Sequence, residues 1–204
     1  METDEIAEKI AELGEAEEHH RAEDVAKRRT ALFISFLAMV LAICSLGGNN
    51  ATKEMIGSSI SASDTWNFYQ AKSIRQTTYK LASEQLLLEA SNPTYNDQFR
   101  QQIQGRADQY RATVERYETE PQTGEGKKEL MAKAKHFEHE RDIAIARDPY
   151  FDYAEACIQI AVVLASASIV ANFLPLLWFS YGLGILGTLL ALNGFTLAVK
   201  IPFL

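Results

Sequence analysis

The chain reads as an all-α membrane protein, with three transmembrane helices and a helical coiled-coil extramembrane segment between the first and the second. Three observations carry that reading. Two apolar stretches, 153–173 and 176–199, are parted only by a short loop around Pro175. Each is roughly 20 residues, the length a helix needs to cross a hydrocarbon core of about 30 Å. A third apolar run, 31–46, follows the basic cluster Lys27, Arg28 and Arg29. Between the first run and the other two lies a polar stretch whose apolar residues return at helical spacing and nowhere with the alternation of a strand. Four segments follow: an acidic N-terminal helix over 1–29, a first transmembrane helix over 30–48, the extramembrane helical segment over 49–152 and a transmembrane hairpin over 153–204.

Residues 4–29 favour helix, with Ile6, Ile10 and Leu13 on one side among Glu and Lys. The stripe fades after Gly14, as in a helix that is solvated or docked on a partner. The net charge of −7 comes mainly from this segment, whose ten acidic and five basic side chains account for −5 of it. Nucleic acid is excluded as a partner, because phosphate binding needs a concentrated basic surface. A thin apolar face and an acidic polar face also argue against this segment lying on anionic lipid. Basic residues beside a first span stay cytoplasmic, so the N-terminus is expected inside, and the middle segment and C-terminus outside. Leu41-Ala42-Ile43-Cys44 imitates a lipoprotein cleavage box. The bulky Ile43 and the long acidic stretch before it instead make 31–46 an uncleaved anchor. Cys44 and Cys157 both fall inside spans and read as small buried residues, with no zinc-type spacing around them.

Gly47-Gly48-Asn49-Asn50 is expected to break the first span. A helix of about 57 Å should then cover 52–90. Ile60, Asn67, Ile74, Leu81 and Leu88 recur in it every seven residues, with Ile56, Ser63, Gln70, Thr77 and Glu84 or Gln85 between them, a heptad seam diluted by polar residues at half its positions. Ser91-Asn92-Pro93 stops it, since proline disfavours the α region for the residue before it. A second helix over 95–119 carries Phe99, Ile103, Tyr110, Val114 and Tyr117. A loop follows from Glu120 to Gly126, then a third helix over 127–147 with Leu130, Ala134, Phe137, Arg141 and Ala144. Asp148-Pro149-Tyr150-Phe151 is read as the approach to the membrane, with two aromatics at headgroup level.

The polar residues of the spans are the candidate site. Glu155 and Gln159 lie one turn apart, and the antiparallel return brings Asn193 to their depth, with Ser45 of the first span at a similar level. An ionisable group inside a span is costly and points to function. Glu155 could serve as a proton or cation site partnered by Gln159 and Asn193. The favoured reading is structural: Glu155 solvated near the headgroups, with Gln159 and Asn193 joining helices. Ala161, Ala165 and Ser168 on one span, and Gly184, Gly187, Ala191 and Gly194 on the next, form small-residue stripes that let helices approach closely in lipid. Ser63, Asn67, Gln70 and Thr77 form a polar seam on the stalk. Glu17, His20 and Asp24, and His136, His139 and Glu140, share helix faces but fall short of a closed metal site. No metal or cofactor is assigned. No nucleophile elbow, P-loop or dinucleotide turn occurs.

Two stretches carry a resemblance. One is Gly48-Asn49-Asn50-Ala51-Thr52-Lys53 with Ala62-Ser63-Asp64-Thr65-Trp66-Asn67-Phe68-Tyr69-Gln70-Ala71-Lys72-Ser73-Ile74-Arg75. The other is Tyr153-Ala154-Glu155, Gln159-Ile160-Ala161-Val162-Val163-Leu164-Ala165-Ser166 and Leu192-Asn193-Gly194-Phe195. Together they resemble a family of small bacterial membrane proteins catalogued as domain of unknown function 4337. The resemblance implies the bacterial inner membrane and three spans, and brings no known activity. The family's basic residues between the last two spans are missing from 171–175 here. The expected function is that of a non-enzymatic, homo-oligomeric scaffold or accessory subunit. Its partners would be the lipid bilayer and further copies, or the other subunits of a larger membrane complex. The alternative is an oligomeric channel or transporter-like protein, its polar pore lined by the stalk seam and Glu155.

Overall fold

The computed structural model describes the backbone of residues 2–201 and the side chains of Arg21 and of 24–201. Among the described residues there are four helices and no strand: α1 (Glu2–Ala90), α2 (Asp97–Glu118), α3 (Lys127–Ala171) and α4 (Leu174–Thr196). Three of them, α1, α3 and α4, are long and apolar enough to cross a membrane. The side chains of Ile6, Ile10, Leu13, Glu17 and His20 lie outside the described residues. The chain divides into two compact units, Met1–Thr52 with Ile145–Leu204, and Lys53–Ala144.

The first unit packs α1, α3 and α4 around small side chains. Its core is Leu37, Val40 and Cys44 of α1, Ala154, Ile158 and Ala161 of α3, and Ala191 of α4. The glycines of α4 set how near its neighbours come. A Cβ at Gly184 would sit 3.1 Å from Leu37, and one at Gly187 would sit 2.6 Å from Ile158 and 3.0 Å from the Ala154 carbonyl. Ser180 donates from its hydroxyl to the Ala161 carbonyl at 2.6 Å, binding α4 to α3. The two helices are joined by a tight reversal. Asn172 adopts a left-handed φ of 45°, and the Phe173 N–H reaches back to the Ser168 carbonyl at 3.4 Å. That is the bond pattern of a Schellman C-cap with asparagine in the glycine place. Pro175 then opens α4, where its missing N–H costs nothing.

Two expected breaks do not occur. Gly47-Gly48-Asn49-Asn50 lies inside α1, which runs on to Ala90. Each glycine inside a helix costs about 1 kcal/mol against alanine, and here both face the buried Phe151, Gly47 its ring and Gly48 its Cβ. A Cβ at Gly47 would fall 2.5 Å from Phe151 Cε1, and one at Gly48 would fall 3.3 Å from Phe151 Cβ. Asn49 donates to the Ser45 carbonyl at 2.8 Å, within the helix. Likewise α3 passes through Pro149. A proline there removes one helical donor and crowds the preceding turn. The flanking residues are nevertheless held: Asp148 accepts from Thr52 Oγ1 at 3.1 Å, and Tyr150 and Phe151 are buried.

The second unit packs α2 and the first part of α3 on one side of α1. That inner side shows Ser58, Ala62, Lys72, Ser83 and Ala90, and it meets Ile103 and Ala107 of α2 and Leu130, Ala134 and Ala144 of α3. Ser83 donates to the Ala107 carbonyl at 3.1 Å. Trp66 Nε1 donates to Glu138 at 2.9 Å, tying α1 to α3. Ends are cut by side chains: Asn96 caps α2 by accepting from the Phe99 N–H at 2.8 Å, and Asn92 Oδ1 accepts from the Thr94 N–H at 3.0 Å after α1 ends.

The glycine contacts make a sharp pair of variants. Gly187→Ala should destabilise the protein by about 1–3 kcal/mol, the usual cost of overfilling a packed site. Gly182→Ala, with nothing within 4 Å, should be neutral or stabilising by up to about 1 kcal/mol through helix propensity. Thermal unfolding of both in detergent checks the contrast.

Candidate functional site

The polar residues expected to gather among the spans assemble only in part. Glu155 and Gln159 do meet, Gln159 Nε2 donating to Glu155 Oε1 at 3.3 Å, with Glu155 half-buried and Gln159 exposed. Asn193 goes elsewhere. Its amide donates to the Val199 carbonyl at 2.7 Å and accepts from the Val199 N–H at 2.9 Å. The reason lies at the end of α4, where Leu197 takes a left-handed φ of 49°. That conformation costs a branched residue energy, and the two amide bonds hold the chain in it. Asn193 therefore corrects the expected four-residue cluster: it caps α4 rather than bridging to Glu155. Ser45 is half-buried, and its carbonyl accepts from Asn49. Tyr150 OH reinforces the same terminus, donating to the Val199 carbonyl and accepting from the Ile201 N–H, both at 3.1 Å.

The small-residue stripes lie within the chain's own packing. Ala161, Ala165 and Ser168 are buried on α3, and Gly184, Gly187, Ala191 and Gly194 are buried on α4. Ser168 returns its hydroxyl to the Ala165 carbonyl at 3.0 Å. Cys44 is buried and Cys157 half-buried, both as free thiols. His136 pairs with Glu140 at 3.3 Å, and among the described residues no group of three His, Cys, Asp or Glu gathers.

On α1 of the second unit, the seam Ser63, Asn67, Gln70 and Thr77 is exposed. So are its apolar companions, Ile60 at 56 %, Ile74 at 68 %, Leu81 at 60 % and Leu88 at 75 %. The opposite side of the helix does the packing, and it holds a polar network that apolar periodicity did not reveal. Lys72 is buried under the 119–126 loop. Its ammonium donates to the Glu125 carbonyl, lies 3.5 Å from Glu120 Oε2, and faces the rings of Phe68 and Tyr117 at 5.6 and 5.4 Å.

One turn on, Gln76 donates to the Val114 carbonyl at 3.0 Å and to Glu118 at 3.1 Å. Lys127 donates to Gln76 Oε1 at 2.8 Å and lies over the Tyr69 ring at 5.5 Å. The Gln76 bond, reinforced by the Lys127 charge, holds the Glu118 carboxyl below the ordinary glutamate range. Glu129 is also lowered, first by the Thr119 hydroxyl and then by backbone N–H groups. Every charge in this network is answered, as burial of charge requires. The arrangement locks three helices and a loop. Tyr79 adds an aromatic wall, edge-on to Tyr110 at 5.3 Å and to Tyr117 at 5.9 Å.

A signal for this network was present in the motif Trp66, Tyr69 and Lys72, whose spacing of three residues places them on one helical face. The profile of the family described as Domain of unknown function (DUF4337) matches residues 26–197. The chain belongs to that family. No curated protein and no solved structure matches it. The family match spans the motif residues of both units, including Trp66, Lys72, Glu155 and Asn193.

Truncating Lys72 strands Glu120 and the Glu125 carbonyl it serves. Lys72→Ala should cost about 3 kcal/mol, the scale for breaking a buried ion pair. Lys80→Ala, on an exposed position of the same helix, should change stability by less than about 0.5 kcal/mol. Denaturant titration of the full chain in detergent, followed by tryptophan fluorescence, measures the difference.

Proposed function

We propose that this is a non-enzymatic integral protein of the bacterial inner membrane. Its three apolar helices cross the bilayer, and its second unit acts as a coiled-coil stalk that holds copies of the chain together as a scaffold or accessory subunit. The observation that carries the reading is the uncovered apolar side of α1 in the second unit, where Ile60, Ile74, Leu81 and Leu88 are each more than half exposed. In a unit that stands in water, a row of large apolar residues without cover marks an interaction surface. Support for the bilayer comes from the length and apolarity of α1, α3 and α4. Exposed Val163, Val170, Trp178, Phe179, Ile185 and Leu189 on α3 and α4 suit contact with lipid.

The exposed cluster Lys27, Arg28 and Arg29 orients the N-terminus to the cytoplasm, with the stalk and C-terminus outside. The network around Lys72 supports a structural role for the stalk, since its charged groups are paired with one another. Detergent-solubilised protein should show, by native mass spectrometry, a whole-number multiple of the 22.8 kDa chain. A monomer across detergents refutes the scaffold. A hollow ring by electron microscopy, with Ser63, Asn67, Gln70 and Thr77 on its axis, replaces it with the channel reading.

A further inference from the structure

The face of α1 that would join copies can be named, on the reading that the protein is a membrane-anchored homo-oligomer. Counting by sevens from Ile60 through Asn67, Ile74 and Leu81 to Leu88 meets only exposed residues. The opposite positions are in use: Ala62, Lys72 and Ser83 are buried against α2, α3 and the 119–126 loop. The helix cannot turn its outer line inward without pulling Lys72 from Glu120 and the Glu125 carbonyl. The line therefore has no cover within the chain.

Its pattern selects the occupant. Four of the five positions at seven-residue spacing from Ile60 to Leu88 are apolar and one is asparagine, and a seven-residue repeat keeps to one line where two helices wind around each other. Of the positions flanking that line, Ser73 on one side and Ala71 and Thr78 on the other carry no charge, with Asp64 and Lys80 towards its two ends. Charge is depleted in this way at the centre of interfaces. Copies anchored in one membrane share one orientation, so a two-fold axis along the membrane normal sets each residue of the line opposite itself. Isoleucine then meets isoleucine, leucine meets leucine, and Asn67 meets an amide that can both donate and accept. One asparagine buried in such a line fixes register and number.

The area also suits a pair. Ile56, Ile60, Ile74, Leu81 and Leu88 have half to three quarters of their surface open. With the polar residues between them, they would bury on the order of 600–800 Å² per copy, the scale of a standard interface. The same count passes through Val25, Leu32, Met39 and Leu46 in the first unit, all about half exposed or more. Lipid contact alone accounts for apolar exposure there, so residues 56–88 decide.

We propose that α1 pairs with α1 of a second copy, parallel and in register, through Ile60, Asn67, Ile74, Leu81 and Leu88. The test uses the full chain in native membranes, with Cys44→Ala and Cys157→Ala as background and single cysteines at Ile74, Leu81 or the exposed Gln104 of α2. A disulfide needs Cα atoms within about 7 Å, so mild oxidation should link Ile74→Cys and Leu81→Cys to a covalent dimer, leaving Gln104→Cys monomeric. The double variant Ile74→Lys with Leu81→Lys should keep its helical circular dichroism and shift to single-chain mass. A multimer by native mass that fails to link at Ile74 and Leu81, or links equally at Gln104, overturns this face and leaves the homo-oligomer standing. A single-chain mass for the unmodified protein overturns both.

Discussion

The ring of Phe151 is the fixed point of the first unit. Phe151 is 2 % exposed; a Cβ added at Gly47 or Gly194 would come within 3.1 Å of the ring, and one at Gly48 would lie 3.3 Å from Phe151 Cβ. The ring also meets Phe195 edge-on at 4.8 Å. One side chain of α3 thus sets how closely α1 and α4 come to it, and three glycines exist there to admit it. A packed aromatic makes many small dispersion contacts that together outweigh the propensity cost of glycine in a helix. Because Phe151 covers Gly47 and Gly48, their backbone stays helical. Because Phe151 and Tyr150 are buried just beyond Pro149, α3 continues through a residue that would otherwise end it.

An unbroken α1 has a consequence for the second unit. Its two sides differ in chemistry. The inner side is small and polar, built of serine, alanine and one buried lysine, and it is closed by hydrogen bonds with named acceptors. The outer side is open, its aliphatic Ile60, Ile74, Leu81 and Leu88 interleaved with Ser63, Asn67, Gln70 and Thr77. Small residues let α2 and α3 lie close, as Ser83 on the Ala107 carbonyl shows. The network from Lys72 to Lys127 then fixes which side faces in, because turning the helix would leave buried charges without partners.

The sequence displayed the four helices well where local chemistry decides. Length and apolarity marked the three membrane-competent helices, and Asn92-Pro93 and the loop from Glu120 to Gly126 fall where helices end. It concealed the continuity at Gly47–Asn50, because the cause is a ring about a hundred positions away. Pro149 misled for the same reason. Asn193 looked like a bridge by depth, yet the strained turn at Leu197 claims its amide, a need visible only in the backbone angles. The inner face of α1 in the second unit was hidden because alanine, serine and lysine make no apolar stripe. The Ile and Leu line on the far side drew attention instead.

Continuity of α1 through Gly47–Asn50 is the central claim, since it makes one helix serve both units. Hydrogen–deuterium exchange of the full chain in detergent reads it directly, because helical amides exchange only through opening. The amides of residues 47–54 should exchange as slowly as those of 37–44, and Phe151→Ala should speed 47–54 by tenfold or more. Rapid exchange at 47–54 in the unmodified protein, within a slowly exchanging 37–44 and 58–65, would show a break and contradict it.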